Sequence, residues 1–234
     1  MDPEMNKLLK WSITNSDASK GAEDEGNAVD ASKSQITPEL ISKLFGGGPS
    51  DADLMKAAIE VIKDPETDLE NKLVAFDNFE QLIEGIDNAM NIQSLNLWPD
   101  LVSLLEHEET DIRRMAAWSV GTAVQNNPKT QAHFVDTHSF PKLVSIATTD
   151  PNPATRKKGV YALSSAVRNH QPSLDELLKS LPAPYQNLPA DYKQQLKDEK
   201  KSEEEQAKPL DASNMDFIDF MMDKLRTHTV DASA

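Results

Sequence analysis

Cysteine is absent from the 234 residues, which excludes a disulfide framework, a thiolate metal site and a cysteine nucleophile. Basic residues are scarce: 24 Lys and Arg stand against 39 Asp and Glu, a net charge of −15 that excludes non-specific binding to nucleic acid or anionic lipid. No apolar run approaches the ~18 residues of a membrane span, and the opening Met1-Asp2-Pro3-Glu4 carries no basic n-region. The expected setting is therefore reducing and cytoplasmic. Aromatics make up only 6% and hydrophobic residues 38%, too little for a chain packed from end to end, so tails and linkers are expected beside a core. Chemistry-bearing motifs are missing too. His107, His133, His138, His170 and His228 show no paired ligand spacing, and no Gly-x-Ser-x-Gly, Walker A, dinucleotide or calcium-loop pattern occurs. No catalytic residue, metal or cofactor is assigned, and the chain is not expected to be an enzyme.

What is present is helical periodicity, with no period-two alternation. Met5 to Ile13 reads as a short amphipathic helix, followed by a Ser/Ala/Gly/acid-rich linker over 16–35 that cannot bury enough surface to order itself. Residues 1–36 are thus expected as a mobile N-terminal segment. Thr37-Pro38-Glu39 opens a helix that Gly46-Gly47-Gly48-Pro49 stops. Ser50 or Asp51 caps a helix through Lys63, and Thr67 to Glu70 reads as a capping box for one ending near Glu84. Helices follow at about 98–105, 110–126, 128–136, 141–148 and 154–169, with a weaker one at 174–181. The proline-spaced, charged stretch 182–210 reads as a disordered linker. Residues 211–234 carry a helix over 214–225 with the stripe Met215, Ile218, Met221, Met222 and Leu225, which caps the core or binds a partner.

The core repeats. Trp98-Pro-Asp-Leu-Val-Ser-Leu-Leu105 matches Phe140-Pro-Lys-Leu-Val-Ser-Ile-Ala147 at an offset of 42 residues, and Thr122-Ala-Val-Gln-Asn126 matches Ser165-Ala-Val-Arg-Asn169 at 43. Phe76, Trp118 and Tyr161 fall at the same steps. Helical units of about 40–47 residues are the armadillo/HEAT signature. Residues 37–181 are therefore expected to form an all-α, armadillo/HEAT-like, right-handed superhelical solenoid, a monomer whose hollow side holds a protein partner. The repeated aromatics fit inter-repeat core or a stacking groove.

Two polar features repeat as well. Lys72, Arg114 and Lys157 share one repeat position, preceded by Asn71, Arg113 and Arg156. Cations in a first helical turn oppose the macrodipole, so this stripe either meets an acidic patch on a partner or pairs within the solenoid. Amides gather at helix ends: Asp87-Asn88-Ala89-Met90-Asn91, Gln125-Asn126-Asn127 and Arg168-Asn169. They cap helices or form a polar rim for a docked protein.

Several motifs together resemble the fungal Fes-type nucleotide exchange factors, armadillo relatives of the animal Hsp-binding proteins. They are Lys7-Leu-Leu-Lys-Trp-Ser-Ile13, Leu44-Phe-Gly-Gly-Gly48, Lys72-Leu-Val-Ala-Phe-Asp-Asn-Phe-Glu80, Gly121-Thr-Ala-Val-Gln-Asn-Asn127 and Tyr161-Ala-Leu-Ser-Ser-Ala-Val-Arg-Asn-His170. The resemblance spans about residues 5 to 175, and no complete further repeat follows Pro172. It implies a co-chaperone that grips the ATPase domain of the heat-shock protein 70 chaperone and releases its ADP, as opposed to a passive armadillo adaptor. It implies partner contacts at Ala89, within Asp87, Asn88 and Asn91, and at the stripe Lys72, Arg114 and Lys157. Asn126, Asn127, Arg168 and Asn169 would extend that surface. It also implies an N-terminal segment whose Leu8, Leu9 and Trp11 help release substrate.

Overall fold

The computed structural model describes residues 49–227. The readings made for 1–48, including Leu8, Leu9 and Trp11, and for His228 and beyond lie outside the described residues. Among the described residues every regular element is helical. In chain order these are α1 (Asp51–Lys63), α2 (Leu69–Ile83), α3 (Ile86–Ser94), α4 (Trp98–Ser103) continued by a 3-10 turn (Leu104–Glu106), α5 (Thr110–Val124) and α6 (Pro128–Asp136). Then come α7 (Phe140–Thr149), α8 (Pro153–Val167), α9 (Gln171–Ser180), a 3-10 turn (Ala183–Tyr185), α10 (Leu188–Asp198), α11 (Glu203–Ala207) and α12 (Met215–Thr227).

Local chemistry sets the boundaries. Ser50 caps α1 reciprocally, its Oγ accepting from the Asp53 amide at 3.2 Å while the Asp53 carboxylate accepts from the Ser50 amide at 3.3 Å. The cap of α2 lies one residue beyond the expected Thr67. Asp68 accepts from the Asn71 amide at 2.9 Å, and Thr67 turns back to donate to Asp64 at 2.8 Å. Prolines open α4, α6, α7, α8 and α9 in the first turn, where a missing N–H costs nothing. Of the repeated amides, Asn126 and Asn169 take φ of 52° and 56° just past α5 and α8, ending those helices in the left-handed conformation that asparagine tolerates; past α3 it is Asn96, outside the repeated run, that does so with φ 55°.

Packing follows the repeat. The three 15-residue helices α2, α5 and α8 lie side by side, α2 on α5 and α5 on α8, and the shorter α1 and α7 back them. Positions 42 residues apart, such as Ile59, Leu101 and Leu143, are all buried in one continuous core. Polar ties lock neighbouring units. Gln131 on α6 is 2% exposed and donates through Nε2 to the carbonyls of Ser165, Ala166 and Arg168, satisfying the otherwise bare end of α8. Thr130 Oγ1 does the same for α5 through the Ala123 carbonyl at 2.6 Å.

Two segments correct the sequence reading. The stretch 182–210, expected as a disordered linker, holds α10 and α11. Leu188, Tyr192 and Leu196 recur every four residues and bury one side of α10, while Pro189 sits harmlessly in its first turn. The amide-rich run after Glu84 is not only a terminus: it forms α3, which buries just Ala89 and Ile92. α12 packs across α8 and α7. Phe217, Ile218, Met221, Met222 and Leu225 are all buried, so this helix closes the last repeat's apolar face.

Candidate functional site

The stacked helices α2, α5 and α8 present one row of side chains, and the cationic doublets enter it at their first turns. In α5 and α8 the two members of the doublet part company, whereas α2 has a single cation, Lys72, after exposed Asn71. Arg113 is an internal strut. Its Nε donates to Asp150 Oδ2 at 2.7 Å, one Nη reaches the carbonyls of His107 and Glu108 at 2.7 Å, and the other donates to Thr110 Oγ1 at 3.2 Å. Its side chain is 15% exposed and that of Asp150 3%. Arg156 turns the same way, donating to the carbonyls of Asp150 and Pro151. The second members face outward. Arg114 is half-buried and holds Asp111 at 2.8 Å, one turn back on its own helix. Lys157 is exposed, and Lys72 is half-buried. Both remain without an ion pair among the described residues.

The amide positions are mostly structural. Asn88 Nδ2 donates to Asp51 at 2.8 Å and to the Leu82 carbonyl at 3.0 Å, tying α3 to α1 and to the end of α2. Asn127 is 6% exposed and caps α6 through the Thr130 amide. Ala89 is 3% exposed, its methyl turned into the core. Ala89 and Asn127 thus offer little surface, while in the same regions Asp87 and Asn126 are exposed and Asn91 is half-buried.

Arg168 is also committed within the chain. It grips Asp219 of α12 at 2.5 Å, donates to Met215 Sδ at 3.3 Å and to Ser164 Oγ at 3.0 Å. The Asn169 amide donates to the Ala212 carbonyl at 2.8 Å, which leaves the Asn169 side chain exposed. The end of the row is thus tied to the C-terminal segment, with the acidic face of α12, Asp216, Asp219 and Asp223, beside it.

The aromatic ladder divides in two. Phe76 is fully buried, while Trp118 and Tyr161 stay half-buried at the surface of α5 and α8. The cation lying over them is Lys158, which the repeat alignment passed over in favour of Lys157. A signal was available, since Tyr161 follows Lys158 by three residues on a helix and so shares its side. Among the described residues no group of three or more His, Asp or Glu side chains is placed to hold a metal ion. The row offers charge, amides and aromatic faces, which suit recognition of a folded protein surface.

Comparison with known proteins supplies the family. Residues 5–92 match the family described as nucleotide exchange factor Fes1, and residues 88–180 match the SIL1/FES1/HPBP1 C-terminal domain. The Hsp70 nucleotide exchange factor FES1 of Coccidioides immitis is 48% identical over 226 residues, covering 97% of this chain and 98% of that protein. Its namesake in Gibberella zeae is 56% identical over 178 residues, covering 74% and 81%. For the Saccharomyces cerevisiae protein the figures are 45% over 179 residues, 75% of this chain and 59% of that protein. On these matches, one of which runs nearly end to end, the chain belongs to the Fes1 family of nucleotide exchange factors.

Proposed function

We propose that this chain is a cytoplasmic nucleotide exchange factor for Hsp70, binding the chaperone's ATPase domain and speeding ADP release without catalysing a reaction itself. The observation that carries the reading is the alignment over 98% of a curated exchange factor's length. The architecture supplies a physical means. Buried caps such as Gln131 tie neighbouring helices together, so binding energy gained on their surface can hold a partner in a strained, opened shape. Protein interfaces of this kind bury about 1,200–2,000 Å² summed over both partners. The face that grips carries Lys72, Arg114 and Lys157, with Asp87, Asn91 and Asn126 at its rim. The positive groups on this face select an acidic patch, while the chain's net charge of −15 repels polyanions. Leu8, Leu9 and Trp11 compete with substrate for the chaperone's peptide site.

Linkage gives a sharp test. If the bound chain lowers ADP affinity by some factor, ADP must lower the chain's affinity by the same factor. Titrating the ATPase domain with the chain, in the presence and absence of ADP, should show weaker binding with the nucleotide. Binding of equal strength under both conditions would mark a passive adaptor. Removing residues 1–36 should leave ADP release intact and slow release of a labelled client peptide.

A further inference from the structure

Lys158 is left over by the arrangement above. Its Nζ sits 3.2 Å from the centre of the Trp118 ring and 5.6 Å from that of Tyr161. The aromatic platform is fixed from both sides. Tyr161 donates through its hydroxyl to Gln125 Oε1 at 3.1 Å. Its ring also lies against Gly121, where an added Cβ would come within 2.5 Å of Cε1, so only glycine lets the two helices meet there. The ammonium group is thus held in place between two helices one repeat apart, α5 and α8.

It is held without a direct ion pair among the described residues. An ammonium carries three N–H donors, and among the described residues Lys158 makes neither an ion pair nor a hydrogen bond. Glu80 is the carboxylate that acts on it electrostatically. That group is 5% exposed and already accepts from Thr122 Oγ1 at 2.6 Å. Partial burial pushes the Lys158 pKa below its ordinary value; Glu80 opposes the shift, while Arg114 and Lys157 add to it. Water now solvates what the protein does not. When a partner displaces that water, the charge must be met or its desolvation is uncompensated.

We infer that Lys158, seated on Trp118 and Tyr161, is the anchor that receives an aspartate or glutamate side chain from the partner's folded surface. The inference rests on the function proposed above, with the Hsp70 ATPase domain as the partner. Lys158, Arg114 and Lys157 make one positive spot in a strongly acidic chain, so a basic group is repelled and an apolar one leaves the ammonium buried and unpaired. A carboxylate satisfies both requirements, accepting from the ammonium while Trp118 and Tyr161 shield the pair from water.

The test uses the full chain, with Lys158→Met retaining the aliphatic stem over Trp118 and Lys158→Arg retaining the cation. Affinity for the Hsp70 ATPase domain is measured at low and high salt, with melting curves to confirm that each variant is folded. Lys158→Met should raise Kd about tenfold or more at low salt and flatten the salt dependence, while Lys158→Arg should stay within about threefold. Folded Lys158→Met that binds within twofold of the parent, or that weakens equally at all salt concentrations, overturns the anchor. A parent chain that does not bind the ATPase domain overturns the function itself, and the anchor with it.

Discussion

Arg113 and Lys158 are both cations near the start of a repeated helix, yet they do opposite things. Arg113 closes a nearly buried pair with Asp150 and satisfies two loop carbonyls. Arg113→Ala leaves Asp150 charged and buried, and should cost about 3–5 kcal/mol in chemical unfolding. ADP release at temperatures where the variant remains folded should be unchanged. Sequence showed the doublets but not which member faces inward, because one residue's step turns a side chain by about 100° around a helix. Ala89 makes the same point. Its burial means that Ala89→Arg forces a charge into the core, so the melting temperature should drop together with any loss of exchange. His170 adds a pH effect. Partial burial lowers its pKa, and Nδ1 pairs with Ser173 Oγ at 2.8 Å. A histidine with a depressed folded pKa contributes stability that is present above its unfolded value near 6.5 and lost as pH falls below it. The melting temperature should therefore decline between about pH 7 and pH 5, and less steeply in His170→Gln.

At the scale of elements, the close seams between helices fix which substitutions the repeat tolerates. Gly159 faces α7, where an added Cβ would lie 2.9 Å from the Ala147 amide nitrogen and 2.8 Å from Ile146 Cγ2. Helix propensity alone favours alanine there by about 1 kcal/mol. Backbone cannot move aside as a side chain can, so Gly159→Ala should instead destabilise by about 1–3 kcal/mol, a fall of several degrees in melting temperature. The C-terminal helix belongs to the core by the same measure. Phe217→Ala, at a fully buried position touching Tyr192, should cost about 3–5 kcal/mol. Helices with clear capping residues, such as α1 and α6, were legible in the sequence almost to the residue. α3 and α10 were not, since neither has a side-chain cap and each hides its few buried side chains among amides or charges. Their helicity comes from tertiary packing, which periodicity over a short window does not report.

At the scale of the whole chain, the repeat of 42–43 residues is the feature that sequence and structure share most fully. It dictates which helices stack, which positions form the core and which row is left to meet a partner. Its charge pattern follows from that order: Arg114, Lys157 and Lys158 lie on the neighbouring α5 and α8, and acidic α12 packs against α8. The central claim is that gripping the Hsp70 ATPase domain loosens its nucleotide. The most direct measurement is the stopped-flow dissociation rate of labelled ADP from full-length Hsp70, chased with ATP, as the concentration of this chain rises. The account requires the rate to climb and then saturate as the complex fills. A rate that stays flat while binding is demonstrated in the same samples would contradict it.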